Sequence, residues 1–146
     1  MRLSTKGEYG VRAIFDLALH YGQGYVQKAE IASRQGVSDL YLVQLLTLLR
    51  KAGYVHSVRG PKGGHRLTRS PEEITLGEIV RLLEGSTDPI DCVGSEGANC
   101  AFSGQCVLQE VWGEVKSAVD QILFSTTFGD LCRRKQKRDK AITFRI

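Results

Sequence analysis

The stretch from Gly36 to Leu67, GVSDLYLVQLLTLLRKAGYVHSVRGPKGGHRL, constrains this chain more than any other. Gly36 and Val37 end one segment, and Ser38 then stands where a helix N-cap hydroxyl is needed, with Asp39 in the first turn. Leu42, Leu45, Leu46 and Leu49 recur at i, i+3, i+4 and i+7, so the helix that follows buries one face. Behind it, YVHSVRGPKGGHRLTRS reads as a short strand, a Gly/Pro-rich tip and a returning strand. A helix run directly into a tight hairpin leaves room for very few packings, and a wing folded beside the helix is the simplest.

The segments on either side fit that arrangement. Ile14, Leu17, Ala18 and Tyr21 share the spacing of an amphipathic helix that ends near Gly22 to Gly24. A short second helix follows over about Lys28 to Gln35. Joined to the third by a Gly-containing turn, it forms the unit whose second helix can lie in a DNA major groove. Thr75-Leu76-Gly77-Glu78 has the T-x-x-E form of a capping box before Ile79, Val80, Leu82 and Leu83, which predicts a helix to Gly85. Leu108, Val111, Trp112, Val115, Val119 and Ile122 form one stripe on a helix from about Val107 to Phe124. Such a stripe is either a dimer seam, placing two recognition helices on a palindromic site, or is buried within one subunit. Thr127 to Asp130 opens a last short helix, and the tail from Arg133 to Lys140 is expected to fray and add phosphate contacts.

The fold class is therefore mainly α with a small β-wing: a winged helix-turn-helix domain plus a long dimerisation helix. The expected boundaries are 1–70 for the winged domain, 71–90 for a connecting helix, 91–106 for a cysteine loop, 107–126 for the dimerisation helix and 127–146 for a short helix and basic tail. No apolar run is long enough to span a membrane, and no continuous apolar stretch precedes Glu8, so a cytoplasmic protein is expected.

Charge points to the partner. Six Lys/Arg and no acid lie between Arg50 and Arg69, whereas eleven Asp/Glu face two bases between Glu72 and Asp130. Basic charge concentrated on the helix and wing fits an acidic polymer, double-stranded DNA. Ser38, Asp39, Tyr41 and Gln44 lie in the first turns of the third helix, where base edges are reached; Gln44 suits adenine. Thr47, Arg50 and Lys51 are placed for backbone oxygens, and Arg59 and Lys62 at the tip for the minor groove or phosphate. Tyr41 has an alternative place beneath the wing, and Ser38 has one as a cap only.

DCVGSEGANCAFSGQC, from Asp91 to Cys106, carries three of the four cysteines with spacing C-x7-C-x5-C. Paired C-x2-C knuckles of common structural zinc sites are missing, yet glycine lets a backbone wrap a single point. Three soft thiolates select zinc, cuprous copper or an iron-sulfur cluster, and a set one short of closed suits a sensor. An enzyme is disfavoured: there is no C-x-x-C, no histidine beside the thiols, and GPKGG lies between two strands instead of between a strand and a helix.

These segments resemble the IscR-type winged helix-turn-helix regulators, bacterial repressors that include iron-sulfur, nitric oxide, iron and cysteine sensors. The resemblance covers nearly the whole chain. It is carried by MRLSTKGEYGVRA, by the Gly36 to Leu67 stretch, by ITLGEIVRLLEG and by the three-cysteine loop. It implies an iron-sulfur cluster on Cys92, Cys100 and Cys106, 2Fe-2S in the favoured form and 4Fe-4S as the alternative, in a homodimeric repressor of cluster-assembly genes. Members that sense cysteine status lack these thiols. The resemblance also offers Glu8, from the partner subunit's first helix, as a fourth ligand; its alternative is a capping box with Thr5. Gln109 stands where biogenesis regulators carry histidine, the seven-residue first gap exceeds their five, and Val43 replaces a frequent glutamate. The fourth ligand is thus Glu8, Gln109 or Cys132. A nitric oxide, redox or iron-responsive repressor, or a zinc or thiol switch without iron, are the other readings.

Overall fold

The computed structural model describes residues 2–94 and 100–145; residues 95–99 of the cysteine loop lie outside it. The elements run α1 (Thr5–Leu19), α2 (Lys28–Gln35), α3 (Asp39–Lys51), β1 (Val55–Val58), β2 (Gly64–Leu67), α4 (Leu76–Glu84), α5 (Val107–Ser125) and α6 (Phe128–Arg145), with single 3-10 turns at Pro71–Glu73 and Asp91–Val93. The architecture is the expected one: helices around a two-stranded antiparallel wing. No helix among the described residues is long and apolar enough to cross a membrane.

The core forms where the apolar spacings converge. Ile14 and Leu17 of α1, Ile31 of α2, Leu42, Leu46 and Leu49 of α3, and Ile79 and Leu83 of α4 meet in one cluster. Val55 and Leu67 close it from the wing, and Phe128 from the start of α6. Each such side chain contributes about 1.5–3 kcal/mol through removal from water. The hairpin is held over the core by its register, Val55 opposite Leu67 and Ser57 opposite His65, so alternate residues point inward. At its base, Tyr54 donates a 2.7 Å hydrogen bond to Glu78 of α4.

The wing has a third edge that the sequence does not announce. Val26, just before α2, exchanges two 2.8 Å backbone hydrogen bonds with His65. Gly64 makes this approach feasible: its φ is +142°, and a Cβ there would sit 2.5 Å from the Val26 carbonyl oxygen. Gly64→Ala is expected to cost about 2–3 kcal/mol through that clash and backbone strain. Urea unfolding measures the loss, and amide exchange should quicken first at Val26 and His65.

Three local expectations are corrected. Helix α1 stops at Leu19, and Tyr21 lies in the following turn, 47% exposed, because Gly22 and Gly24 take left-handed φ and reverse the chain. The N-cap of α1 is Ser4, whose Oγ accepts from Gly7 N at 3.0 Å, so the Thr5–Glu8 capping box does not form. Glu84 of α4 takes the place of the box, accepting from Ser4 N at 3.0 Å and Ser4 Oγ at 2.7 Å. Finally, α6 is helical through Arg145 in place of a short helix and frayed tail. No proline or glycine interrupts it after Gly129, and the i,i+4 pair Lys135–Asp139 supports its exposed length.

Candidate nucleic-acid interface and thiol loop

Helix α3 buries Leu42, Leu45, Leu46 and Leu49 and presents the opposite face, with Leu40, outward. Ser38, Asp39, Gln44, Arg50 and Lys51 are exposed, and Tyr41 and Thr47 half-exposed. Ser38 Oγ accepts from Tyr41 N at 3.2 Å, so it caps the helix. The Tyr41 ring does not lie beneath the wing: it meets Tyr9 of α1 edge-on, with centroids 6.2 Å apart. Thr47 Oγ1 donates back to the Val43 carbonyl at 2.7 Å.

The six bases of this region divide into two groups. Arg69 pairs with Glu78 at 3.6 Å and stacks on Tyr54, and Arg66 stacks on Tyr25 with its guanidinium 4.7 Å from the ring centroid. Arg50, Lys51, Arg59 and Lys62 form no ion pair among the described residues. Those four are exposed on the third helix and the wing tip, so α3 and the hairpin present a face of uncompensated positive charge. Gln27, the α2 N-cap, fixes the tip by donating to the Gly63 carbonyl at 2.5 Å. Nothing in the local pattern flagged Gln27; it acts on the tip across 36 residues of chain.

A buried polar cluster orients α2 against α1, and so sets where α3 stands. Asp16 is 1% exposed, and its carboxylate accepts from Arg34 Nε and Nη2, both at 2.9 Å, and from Gln35 Nε2 at 3.0 Å. Arg12 Nε donates to Gln35 Oε1 at 3.0 Å, extending the network along α1. Burial pushes the Asp16 carboxyl up, but the hydrogen bonds from Arg34 and Gln35 and the charges of Arg34 and His20 outweigh it and hold it below the usual carboxylate range. A charged residue on the apolar face of α1 was the available sequence signal for this cluster.

All four cysteines are free thiols and half-buried. Cys92 sits in the Asp91–Val93 turn and Cys106 at the N-cap of α5. Gln109, one turn into α5, clasps the two ends of the loop: its Nε2 donates to the Cys92 carbonyl at 2.8 Å, and its Oε1 accepts from Gly104 N at 3.4 Å. Its side-chain amide is therefore engaged with backbone. Cys132 packs against the main core from α6, and burial, then the Glu72 charge, pushes its thiol up, as expected of a part-buried helical thiol. Glu8 is exposed on the first turns of α1. Among the described residues, no three His, Cys, Asp or Glu side chains come together closely enough to hold a metal ion. The donor set nonetheless has the chemistry of a soft-metal site: three thiols on one loop, whose ends are tied together by a single glutamine.

Helix α5 holds no buried residue. One side of it anchors the α4–loop segment: Lys116 bridges Asp88 and Asp120 at 2.8 Å each, and Thr87 donates to Asp120 at 2.6 Å. Of the predicted apolar stripe, Leu108, Val111, Trp112, Val115 and Ile122 lie exposed and Val119 is half-buried, so most of it is not covered within one subunit.

Residues 3–134 match the family model described as Rrf2, iron-dependent transcriptional regulator. The chain is 42% identical over 131 residues to the HTH-type transcriptional regulator IscR of Aliivibrio salmonicida, covering 90% of this chain and 77% of that one. It superposes on the solved structure of T. potens IscR with a TM-score of 0.78 at 43% identity, covering 94% of this chain and 90% of that one. On the B. subtilis global cysteine regulator CymR the TM-score is 0.80 at 36% identity, with 92% and 98% covered.

Proposed function

Since the chain belongs to the Rrf2 family of transcriptional regulators, we propose that it is a cytoplasmic, homodimeric repressor whose grip on a palindromic operator reports an iron-sulfur cluster held by Cys92, Cys100 and Cys106. The observation that carries this reading is the pairing of two features in one chain. A winged helix-turn-helix face carries Arg50, Lys51, Arg59 and Lys62, which form no ion pair among the described residues, and three thiols share a loop that leads into the helix bearing the largely exposed apolar stripe. Neither the family's regulators nor the chemistry of this chain calls for catalysis.

On this reading Gln44 and Tyr41 meet base edges with Asp39, Ser38 contributes mainly as the α3 cap, and Thr47, Arg50 and Lys51 fix the register on phosphates. Arg59 and Lys62 reach from the wing tip. When bound, the cluster supplies a redox-labile crosslink of the loop. The chain's own residues carry its effect outward. Cys92 lies beyond the Lys116–Asp88 pair, and Cys106 directly precedes α5, so ordering the loop bears on α5 and on its partner across the two-fold axis. A second route runs through Glu84, the last residue of α4, to Ser4 and thence to α1. Glu8, exposed one turn along, is the fourth ligand toward the partner's cluster. Gln109 is committed to the loop backbone and Cys132 to the core, which disfavours both. The targets are genes of iron-sulfur cluster assembly, including the regulator's own.

The test is the visible spectrum of protein purified without oxygen, read with iron and acid-labile sulfide. Structured visible bands with about two irons per chain are expected for a 2Fe-2S centre; a broad shoulder with nearly four would make it 4Fe-4S and point to nitric oxide or oxygen sensing. A colourless protein that resists reconstitution, or one holding stoichiometric zinc, would sink the cluster and leave a zinc or thiol switch.

A further inference from the structure

Between α3 and the wing lies a notch of about 360 Å³, lined by Thr47 and Arg50 from the helix and by Ser57, Arg59 and His65 from the hairpin. None of its lining residues is acidic. We propose that this notch seats a phosphate of duplex DNA, and that His65 takes up one proton from solvent as the phosphate enters. The proposal deepens the DNA-binding reading above and rests on it.

Three observations converge. First, the donors are complementary to a phosphodiester: two guanidinium groups, the Ser57 hydroxyl and an imidazole on two elements that both flank a groove. Second, His65 is fixed. Its backbone is paired to Ser57 on one side and to Val26 on the other, and its Nδ1 lies 2.7 Å from Ser57 Oγ. Its other ring nitrogen, Nε2, has no protein partner among the described residues. Third, the surroundings of the free imidazole disfavour its protonated form. Burial first, then the charges of Lys28 on α2 and Arg50 on α3, push its pKa below the usual histidine range. Arg59, which shares the notch, adds positive charge from the wing. A phosphate anion reverses that balance, cancelling the repulsion and favouring the imidazolium. One proton is gained by the imidazole, and no covalent bond other than that N–H changes.

Phosphate contacts are sequence-independent, so an arbitrary labelled duplex suffices as the probe, read by fluorescence anisotropy at fixed low ionic strength. Linkage of one proton limits the slope to tenfold per pH unit, and the wild type should bind about fivefold tighter at pH 6 than at pH 8. His65→Gln, which keeps a polar partner for Ser57, should show less than about twofold change over that range. His56→Gln should keep the wild-type slope, because His56 points to the other face of β1 and bonds Tyr25. Direct observation guards against a folding defect in the variant: the His65 ring resonance should titrate at higher pH on adding the duplex. Inorganic phosphate at the same ionic strength should not shift it comparably.

Equal pH slopes in wild type and His65→Gln, or a ring titration unmoved by duplex, would overturn the notch while leaving DNA binding intact. An equal shift with inorganic phosphate would make it a free-anion site and overturn the DNA assignment. A wild type that binds no duplex at any pH would remove the parent reading, and the proposal with it.

Discussion

Asp16→Ala should lower the unfolding free energy by about 3 kcal/mol, the low end of the range for breaking a buried ion pair. The reason for the low end is the partner: the Arg34 side chain is 39% exposed and can rehydrate, whereas Asp16 is 1% exposed. The loss still falls on three hydrogen bonds to one carboxylate, two from Arg34 and one from Gln35. In a small domain with about 5–15 kcal/mol in total, this is a large fraction. Urea unfolding at pH 7 measures it, and a loss under about 1 kcal/mol would show that the network is not stabilising. Asp16→Asn, which retains the shape and one acceptor, should lose less.

The same carboxylate sets a pH signature. Its folded pKa lies below its unfolded one, so its contribution is present above the unfolded value and is lost as pH falls through the folded value. Wild-type stability should therefore drop below about pH 4, and the gap between wild type and Asp16→Ala should close there. Because the network joins α1 to α2 of the helix-turn-helix, the variant should also bind DNA more weakly where it is still folded.

How much of this was legible beforehand differs from element to element. Leucines at 42, 45, 46 and 49 follow a single period, and all four are buried; the hairpin is announced by its glycines, and the Thr75–Glu78 box forms as written. Periodicity and capping are local, so one sequence suffices. The Asp16–Arg34 pair, the Gln27 clasp on the wing tip and the Ser4–Glu84 link each join residues far apart in the chain, and no local rule couples them. The last case is instructive: Thr5-x-x-Glu8 satisfied the capping pattern, yet Ser4 won because Glu84 binds its hydroxyl and amide from another helix. For α6, composition misled; a run rich in Lys and Arg looked frayed, but it holds good helix formers and no breaker.

Introducing charge into the α5 stripe, with Trp112→Glu or Val111→Glu/Val115→Glu, should convert the protein to a monomer and weaken operator binding at least about 100-fold. Within one chain Leu108, Val111, Trp112, Val115 and Ile122 are 64, 54, 40, 37 and 65% exposed. They fall on one line along a helix whose polar side is already occupied by Asp88, Thr87 and the Arg81–Phe124 stack. A contiguous apolar face of this kind on a folded helix marks an interface. The symmetric answer is a second copy with the same face, which also brings two recognition helices to one duplex. Because the substituted residues are solvent-exposed in the monomer, each subunit should stay folded, with stability changed by about 0.5 kcal/mol or less. Folding and association are thereby separable. Sedimentation reads the mass and anisotropy the affinity. A wild type that sediments as a monomer at micromolar concentration, or variants that stay dimeric, would remove α5 as the seam. If the variants are monomeric yet retain the thiol loop's cofactor, cluster binding is complete within one chain; loss of cofactor together with dimer would place a ligand across the axis, where Glu8 is the candidate.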